Sequence, residues 1–116
     1  MTLVDTSVWV HHLRHGSNDL RRLLDNAEVL CHPFIIGELA CGTMKNRTQV
    51  LDLLNALPQA LVAEHGEVLQ FLEEKRFYGR GLGWIDLHLL ASASLNRATL
   101  WTMDSALKRA ADQLWN

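Results

Sequence analysis

Several residue types that announce a special class of protein are scarce here. There are two cysteines, Cys31 and Cys41, in 116 residues. Both sit in apolar surroundings and do not form a metal-type pair, so buried free thiols in a reducing compartment are expected. No apolar run approaches the length of a membrane span, and none is predicted. The N-terminus lacks a basic segment followed by an apolar run, so no secretory leader is expected and the cytoplasm is the default compartment. Charge of one sign is scarce too: 11 Lys and Arg against 13 Asp and Glu give a net charge of −2. That total demands neither nucleic acid nor an anionic membrane, although a local basic patch is compatible with it. The length fits a single domain over residues 1–116, and 48% hydrophobic content is ordinary for a globular chain.

What is present starts at the N-terminus. Thr2, Leu3 and Val4 make a short strand that ends at Asp5, and Thr6, Ser7, Val8 and Trp9 follow. A buried strand ending in Asp delivers a carboxylate to the sheet edge where open α/β sheets hold ligands. Asp, Thr and Ser are also good N-caps, so Asp5 has two readings at this point, chemistry or a helix start.

The rest of the chain alternates. A helix from Ser7 to about Leu13 leads into His11, His12, Arg14 and His15, read as a solvated helix end rather than a zinc site. Leu20, Leu23 and Leu24 have the spacing of an amphipathic helix over Asp19–Asn26. Glu28–Cys31 reads as a second strand. Pro33 then opens a helix that is apolar nearly all round up to Gly42, with Glu38 in its middle. A buried Glu costs several kcal/mol unless paired, protonated or bound to a cation. The alternative for Glu38 is an exposed helix edge or a salt bridge. Thr48–Leu57 is a helix stopped by Pro58, Ala60–Val62 a third strand, and Glu64–Phe77 another helix.

Tyr78 to Gly83 carries three glycines at alternate positions. No strand leads into it and no Lys-Ser/Thr follows, so it reads as a flexible loop with Arg80 available for phosphate rather than a nucleotide P-loop. Trp84–Ala93 is a helix of buried character with Asp86 in its first turn, where the helix dipole also favours an acid. His88 reads as a core or partly exposed histidine, not a ligand. Thr99–Met103 is a fourth strand, ending at Asp104 as the first ends at Asp5. Asp104 also has a capping role open to it at the start of the last helix.

This alternation predicts a three-layer α-β-α fold around a central parallel sheet, with right-handed crossovers. Asp5 and Asp104 lie at equivalent strand ends, and Glu38 and Asp86 lie on helices expected to be buried. Carboxylates brought together repel, so they raise their pKa values or bind a cation between them. An all-oxygen donor set suits Mg²⁺ or Mn²⁺. Such an ion equips a site for phosphodiester hydrolysis.

Four blocks together resemble PIN-domain ribonucleases, and more narrowly the VapC toxins of bacterial toxin–antitoxin pairs. They are Val4-Asp5-Thr6-Ser7-Val8-Trp9, residues 33–40 around Glu38, residues 81–93 around Asp86, and Leu100-Trp101-Thr102-Met103-Asp104. The resemblance covers nearly the whole chain. It implies a PIN-like sheet of four to five strands and a Mg²⁺- or Mn²⁺-dependent endoribonuclease acting on single-stranded RNA. It further implies an acidic pocket of Asp5, Glu38, Asp86 and Asp104, with Asp5 and Asp86 as direct metal ligands and Ser7 supporting Asp5. The partners it implies are an RNA substrate, a cognate antitoxin protein and a second copy of the chain as homodimer; no membrane is involved. The chain departs from the family in lacking a recognisable fifth strand and in carrying Ser105, not a further acid, after Asp104.

Two other classes fit parts of the pattern. A phosphoacceptor signalling domain also holds Mg²⁺ on acids at strand ends, but needs a Lys after its last strand. Lys45, Lys75 and Lys108 are the only lysines, and none follows a strand. A non-catalytic binding module would use the same acids only as caps and salt bridges. Arg14, Arg21, Arg22, Lys45, Arg47 and Arg80 are candidates for phosphate contact or plain surface charges.

Overall fold

The computed structural model describes residues 1–114. Its elements are β1 (Thr2–Val4), α1 (Thr6–His15), α2 (Asn18–Asp25), β2 (Val29–Leu30), α3 (Pro33–Ala40), α4 (Arg47–Ala56), α5 (His65–Lys75), α6 (Trp84–Leu95), β3 (Thr99–Trp101) and α7 (Ser105–Leu114). The sheet is parallel in the order β2-β1-β3, with Leu3 opposite Leu30 on one side and Leu100 on the other. From β1 the chain crosses to one neighbour and then returns past β1 to the other. Right-handed crossovers therefore place the two sets of connecting helices on opposite faces. That is the double winding the alternation predicts.

Being central, β1 is shielded on both faces: Leu3 and Val4 have no exposed surface. Six helices each contribute a fully buried large side chain, namely Trp9, Leu20, Ile35, Leu54, Leu89 and Leu107. Each such burial stabilises the fold by roughly 1.5–3 kcal/mol. Helix α6 is the most enclosed, with every residue from Leu87 to Ala93 buried. It therefore fixes the position of its own first turn, which carries Asp86.

Three helices end in the same way. After α2, Ala27 N–H donates to Leu24 O and Glu28 N–H to Leu23 O. Arg76 and Phe77 repeat the pattern after α5, and Arg97 and Ala98 repeat it after α6. This double bond demands a left-handed residue, usually glycine. Here Ala27, Arg76 and Arg97 occupy it at φ of 55°, 56° and 50°.

Some expectations are corrected. The sheet has three strands among the described residues, not four to five. The expected strand at Ala60–Val62 is absent because pairing stops at one bridge between Cys31 and Gln59. Beyond it, Leu61 is held by the Asn96 side chain, whose Oδ1 accepts from Leu61 N at 3.2 Å. Leu61 and Val62 consequently point outward, 67% and 48% exposed. The last strand ends at Trp101, two residues early, because the Thr102 and Met103 backbone turns towards the site. Cys31 is buried as expected, but Cys41 lies just past the end of α3 and is exposed.

Candidate active site

Asp5 precedes α1 in extended conformation, the position of an N-cap, yet its carboxylate caps nothing. The backbone takes that role: Val8 N–H and Trp9 N–H donate to Asp5 O. The side chain accepts two hydroxyl hydrogen bonds instead, both on Oδ2. One comes from Ser7 Oγ and one from Thr102 Oγ1, each at 2.7 Å. Each hydroxyl is oriented in turn by a backbone amide. Met103 N–H donates to Ser7 Oγ at 3.0 Å, and Asp104 N–H donates to Thr102 Oγ1 at 3.1 Å. A hydroxyl with its lone pair occupied by an amide has its proton left for the carboxylate. The ends of β1 and β3 are thereby stitched together, and Asp5 is held 93% out of water. Among the described residues Oδ1 accepts no hydrogen bond.

The other three acids have local partners. Asp86 Oδ2 accepts from Gly83 N–H at 2.9 Å in the first turn of α6. Its carboxyl is pushed up chiefly by burial, is drawn down by the Gly83 amide, and is pushed up again by the charges of Asp5 and Asp104. Those last two effects place Asp5 and Asp104 within electrostatic reach of Asp86. Asp104 is exposed and caps α7, its Oδ1 accepting from Leu107 N–H at 2.9 Å, so the capping role is realised. Glu38 departs from the buried-helix expectation. Of its helix only Ile35 and Leu39 are buried, and Glu38 faces outward, where Thr6 Oγ1 donates to its Oε1 at 2.8 Å. The desolvation cost argued for a buried Glu38 therefore does not arise.

None of these four acids forms a salt bridge among the described residues. The ion pairs there, Arg22–Asp19 and Lys108–Asp112, are surface pairs within single helices. Nor do three His, Cys, Asp or Glu side chains stand close enough to hold an ion jointly among the described residues, so the expected four-acid ligand set is not assembled at one point. What is assembled suits Mg²⁺ or Mn²⁺ in a narrower way. Mg²⁺ is commonly bound by one or two carboxylates with water and substrate phosphate completing the shell. Asp5, with one oxygen fixed and one free, and a partly buried Asp86 that the Asp5 and Asp104 charges repel, have the donor chemistry for that mode.

Thr102 is a residue that sequence reading missed, although it sits two before Asp104 in one of the four blocks. Thr6, which positions Glu38, was likewise not singled out beyond a possible cap. Of the phosphate candidates, Arg22 is paired, Arg47 donates to Ala40 O, and Arg80 donates to Gln113 Oε1 at 2.6 Å while lying over the Phe77 ring. The loop bearing Arg80 is thus tied to α7. His88 is a core histidine, as expected. His12 serves a helix end, its Nδ1 accepting from Ser17 N–H at 3.0 Å. A cavity of about 520 Å³, lined by none of the four acids but with Thr102 in its wall, lies between the open edge of β3 and the Arg22 and Lys108 side chains.

The PIN domain matches residues 2–113. Ribonuclease VapC32 of Mycobacterium tuberculosis, strain CDC 1551 / Oshkosh, is 50% identical over 111 residues, covering 95% of this chain and 90% of the relative. Ribonuclease VapC32 of strain ATCC 25618 / H37Rv gives the same figures. On both grounds, the chain belongs to the PIN-domain family, in its VapC branch.

Proposed function

We propose that the protein is a Mg²⁺- or Mn²⁺-dependent endoribonuclease that cuts single-stranded RNA and acts as the toxin of a cytoplasmic toxin–antitoxin pair. The observation that carries the reading is an Asp at a helix start whose carboxylate is withheld from capping. Two oriented hydroxyls hold it while one oxygen stays free. A structural Asp at this position would take the helix amides, since a cap is worth about 1 kcal/mol. The VapC ribonucleases similar to this chain give the substrate class.

Asp5 and Asp86 are the residues that would hold the cation, with Asp104 and Glu38 adding negative charge around it. A divalent ion bound there supplies Lewis acidity to the phosphoryl group and lowers the pKa of water. Ser7 and Thr102 fix the Asp5 carboxylate, so that no reorganisation is needed when substrate arrives. Thr6 Oγ1 donates to Glu38 Oε1 and ties that acid to the first turn of α1. The antitoxin and a second copy of the chain are the protein partners of this reading.

The test is cleavage of a labelled single-stranded RNA by the full chain with Mg²⁺, with Mn²⁺ and with EDTA. Cleavage is expected with either ion and not with EDTA. Asp5→Asn and Asp86→Asn should each lower the rate by about 100-fold or more while retaining the native circular dichroism, as expected for loss of preorganised electrostatic groups. A folded Asp5→Asn protein that cuts as fast as its parent removes the proposal.

A further inference from the structure

We propose that Trp84, backed by His65, is the platform on which an unpaired base of the RNA stacks beside the acidic pocket. This rests on the ribonuclease reading and adds a substrate-binding residue to it. Five rings run in a row from the core to the surface, starting at the fully buried His32, whose centroid is 5.1 Å from that of Phe34. Phe34 and His88 have centroids 4.7 Å apart, His88 and Trp84 5.0 Å, and Trp84 and His65 5.0 Å. The inner part is enclosed, with His88 only 5% exposed, whereas Trp84 is 37% exposed and His65 is exposed. The row therefore ends in open aromatic surface.

That surface is next to the chemistry. Trp84 is the first residue of α6, two before Asp86, which is about 3 Å along the helix axis. Side chains two apart leave a helix on nearly opposite sides, so Trp84 stands at the same helix end as the carboxylate, on the face it shares with His88, and does not crowd it. Packing on His88 and His65 uses part of the ring, and the 37% left exposed is not needed for the burial of α6, which is supplied from Leu87 onward.

Electrostatics give the platform a task. The chain has a net charge of −2, and the four site acids have no salt-bridge partner among the described residues. The pocket repels phosphates before a cation is bound, so phosphate contacts, the usual source of nucleic-acid affinity, are weak here. Stacking on an aromatic ring is the contribution that does not depend on charge, and every base has a face for it. In a duplex those faces are hidden, so such a platform selects an unpaired strand.

The test uses full-length Asp5→Asn protein in EDTA, which binds without cutting, and a fluorescein-labelled RNA as single strand and as blunt duplex. Adding Trp84→Ala is expected to weaken single-strand binding about 10-fold and leave duplex binding unchanged, and Trp84→Phe to recover most of the loss. In the otherwise native chain, Trp84→Ala should raise KM with kcat unchanged. A folded Trp84→Ala protein that binds the single strand as tightly as its parent overturns the proposal, and so does an equal loss on both RNAs. If the alanine variant does not fold, tryptophan emission decides. An RNA-induced change that is the same with and without Trp84→Phe overturns the proposal, and one that disappears supports it. Burial of Trp84 against a second copy, seen as acrylamide shielding that grows with protein concentration in the absence of RNA, also overturns it. A chain that binds single strands through Trp84 yet cuts no RNA in Mn²⁺ supports the platform and contradicts the nuclease reading alone.

Discussion

Removal of the Thr102 hydroxyl tests how the site is built. Thr102→Val keeps the branched shape at a position 7% exposed and deletes one oxygen. Two hydrogen bonds go with it: the donation to Asp5 Oδ2 at 2.7 Å and the acceptance from Asp104 N–H at 3.1 Å. A hydrogen bond to a charged acceptor contributes about 1.5–3 kcal/mol, and the amide bond, at a partly exposed edge, about 0.5 kcal/mol. The expected loss of stability is therefore about 2–3.5 kcal/mol, or about 8–14 °C in Tm for a domain of this size. Asp5 keeps only its Ser7 bond and swings more freely, and loosened positioning of this kind costs up to about 100-fold in rate. Urea unfolding and Mn²⁺-dependent RNA cleavage, measured below the unfolding range, separate the two effects. Thr102→Ser, which keeps the hydroxyl, should recover most of the rate. If Thr102→Val is as stable and as fast as its parent, the hydroxyl network does not hold Asp5 and the reasoning fails.

Asp86→Asn removes a carboxyl whose folded pKa is raised above its ordinary 3.8, first by burial and then, against the Gly83 amide, by Asp5 and Asp104. Such a group binds its proton more readily in the folded state, so stability falls as pH rises from 3.8 through the raised value. The variant should be at least as stable as its parent at neutral pH, an advantage that vanishes in acid; thermal scans across pH that show the reverse trend contradict this. His32 is pushed down to about 4 by burial, with His88 adding to it, while its Nδ1 accepts the Phe34 amide at 2.9 Å. The unfolded ring takes its proton near 6.5, so stability should fall by up to about 3 kcal/mol as pH drops from 6.5 to 4. His32→Asn, which keeps a capping oxygen, should flatten the urea midpoint over that range. Ala27→Gly relieves a left-handed alanine at φ 55° and should stabilise the chain by about 0.5–1 kcal/mol in urea unfolding, with activity unchanged.

The sequence was legible where local pattern and tertiary role coincide. Leu3 and Val4 announce a buried strand and then form the centre of the sheet. Asp5 and Asp104 follow the neighbouring strands β1 and β3, and the charges of both act on Asp86. It misled where burial was inferred from composition: the apolar run around Glu38 packs by Ile35 and Leu39 only, which leaves Glu38 and Cys41 outside. The run Ala60-Leu61-Val62 has a strand's composition, but a distant amide, Asn96, holds Leu61 in place of a neighbouring strand. Helix ends at Ala27, Arg76 and Arg97 carry no glycine to mark them, so their boundaries showed only in the backbone. Thr102 was invisible for a similar reason: a single threonine at a strand end gains meaning only when folding sets it 2.7 Å from a carboxylate 97 residues away in the chain.

The proposed function requires the Asp5 carboxylate to be kept free for a cation instead of a helix end. Isothermal titration of Mn²⁺ into the native chain and into Asp5→Asn tests it without any need for the RNA substrate. Saturable binding to the native protein, lost or weakened at least about 10-fold in a folded Asp5→Asn variant, is the predicted result. Equal Mn²⁺ binding by the two proteins, or none by the native chain, contradicts it.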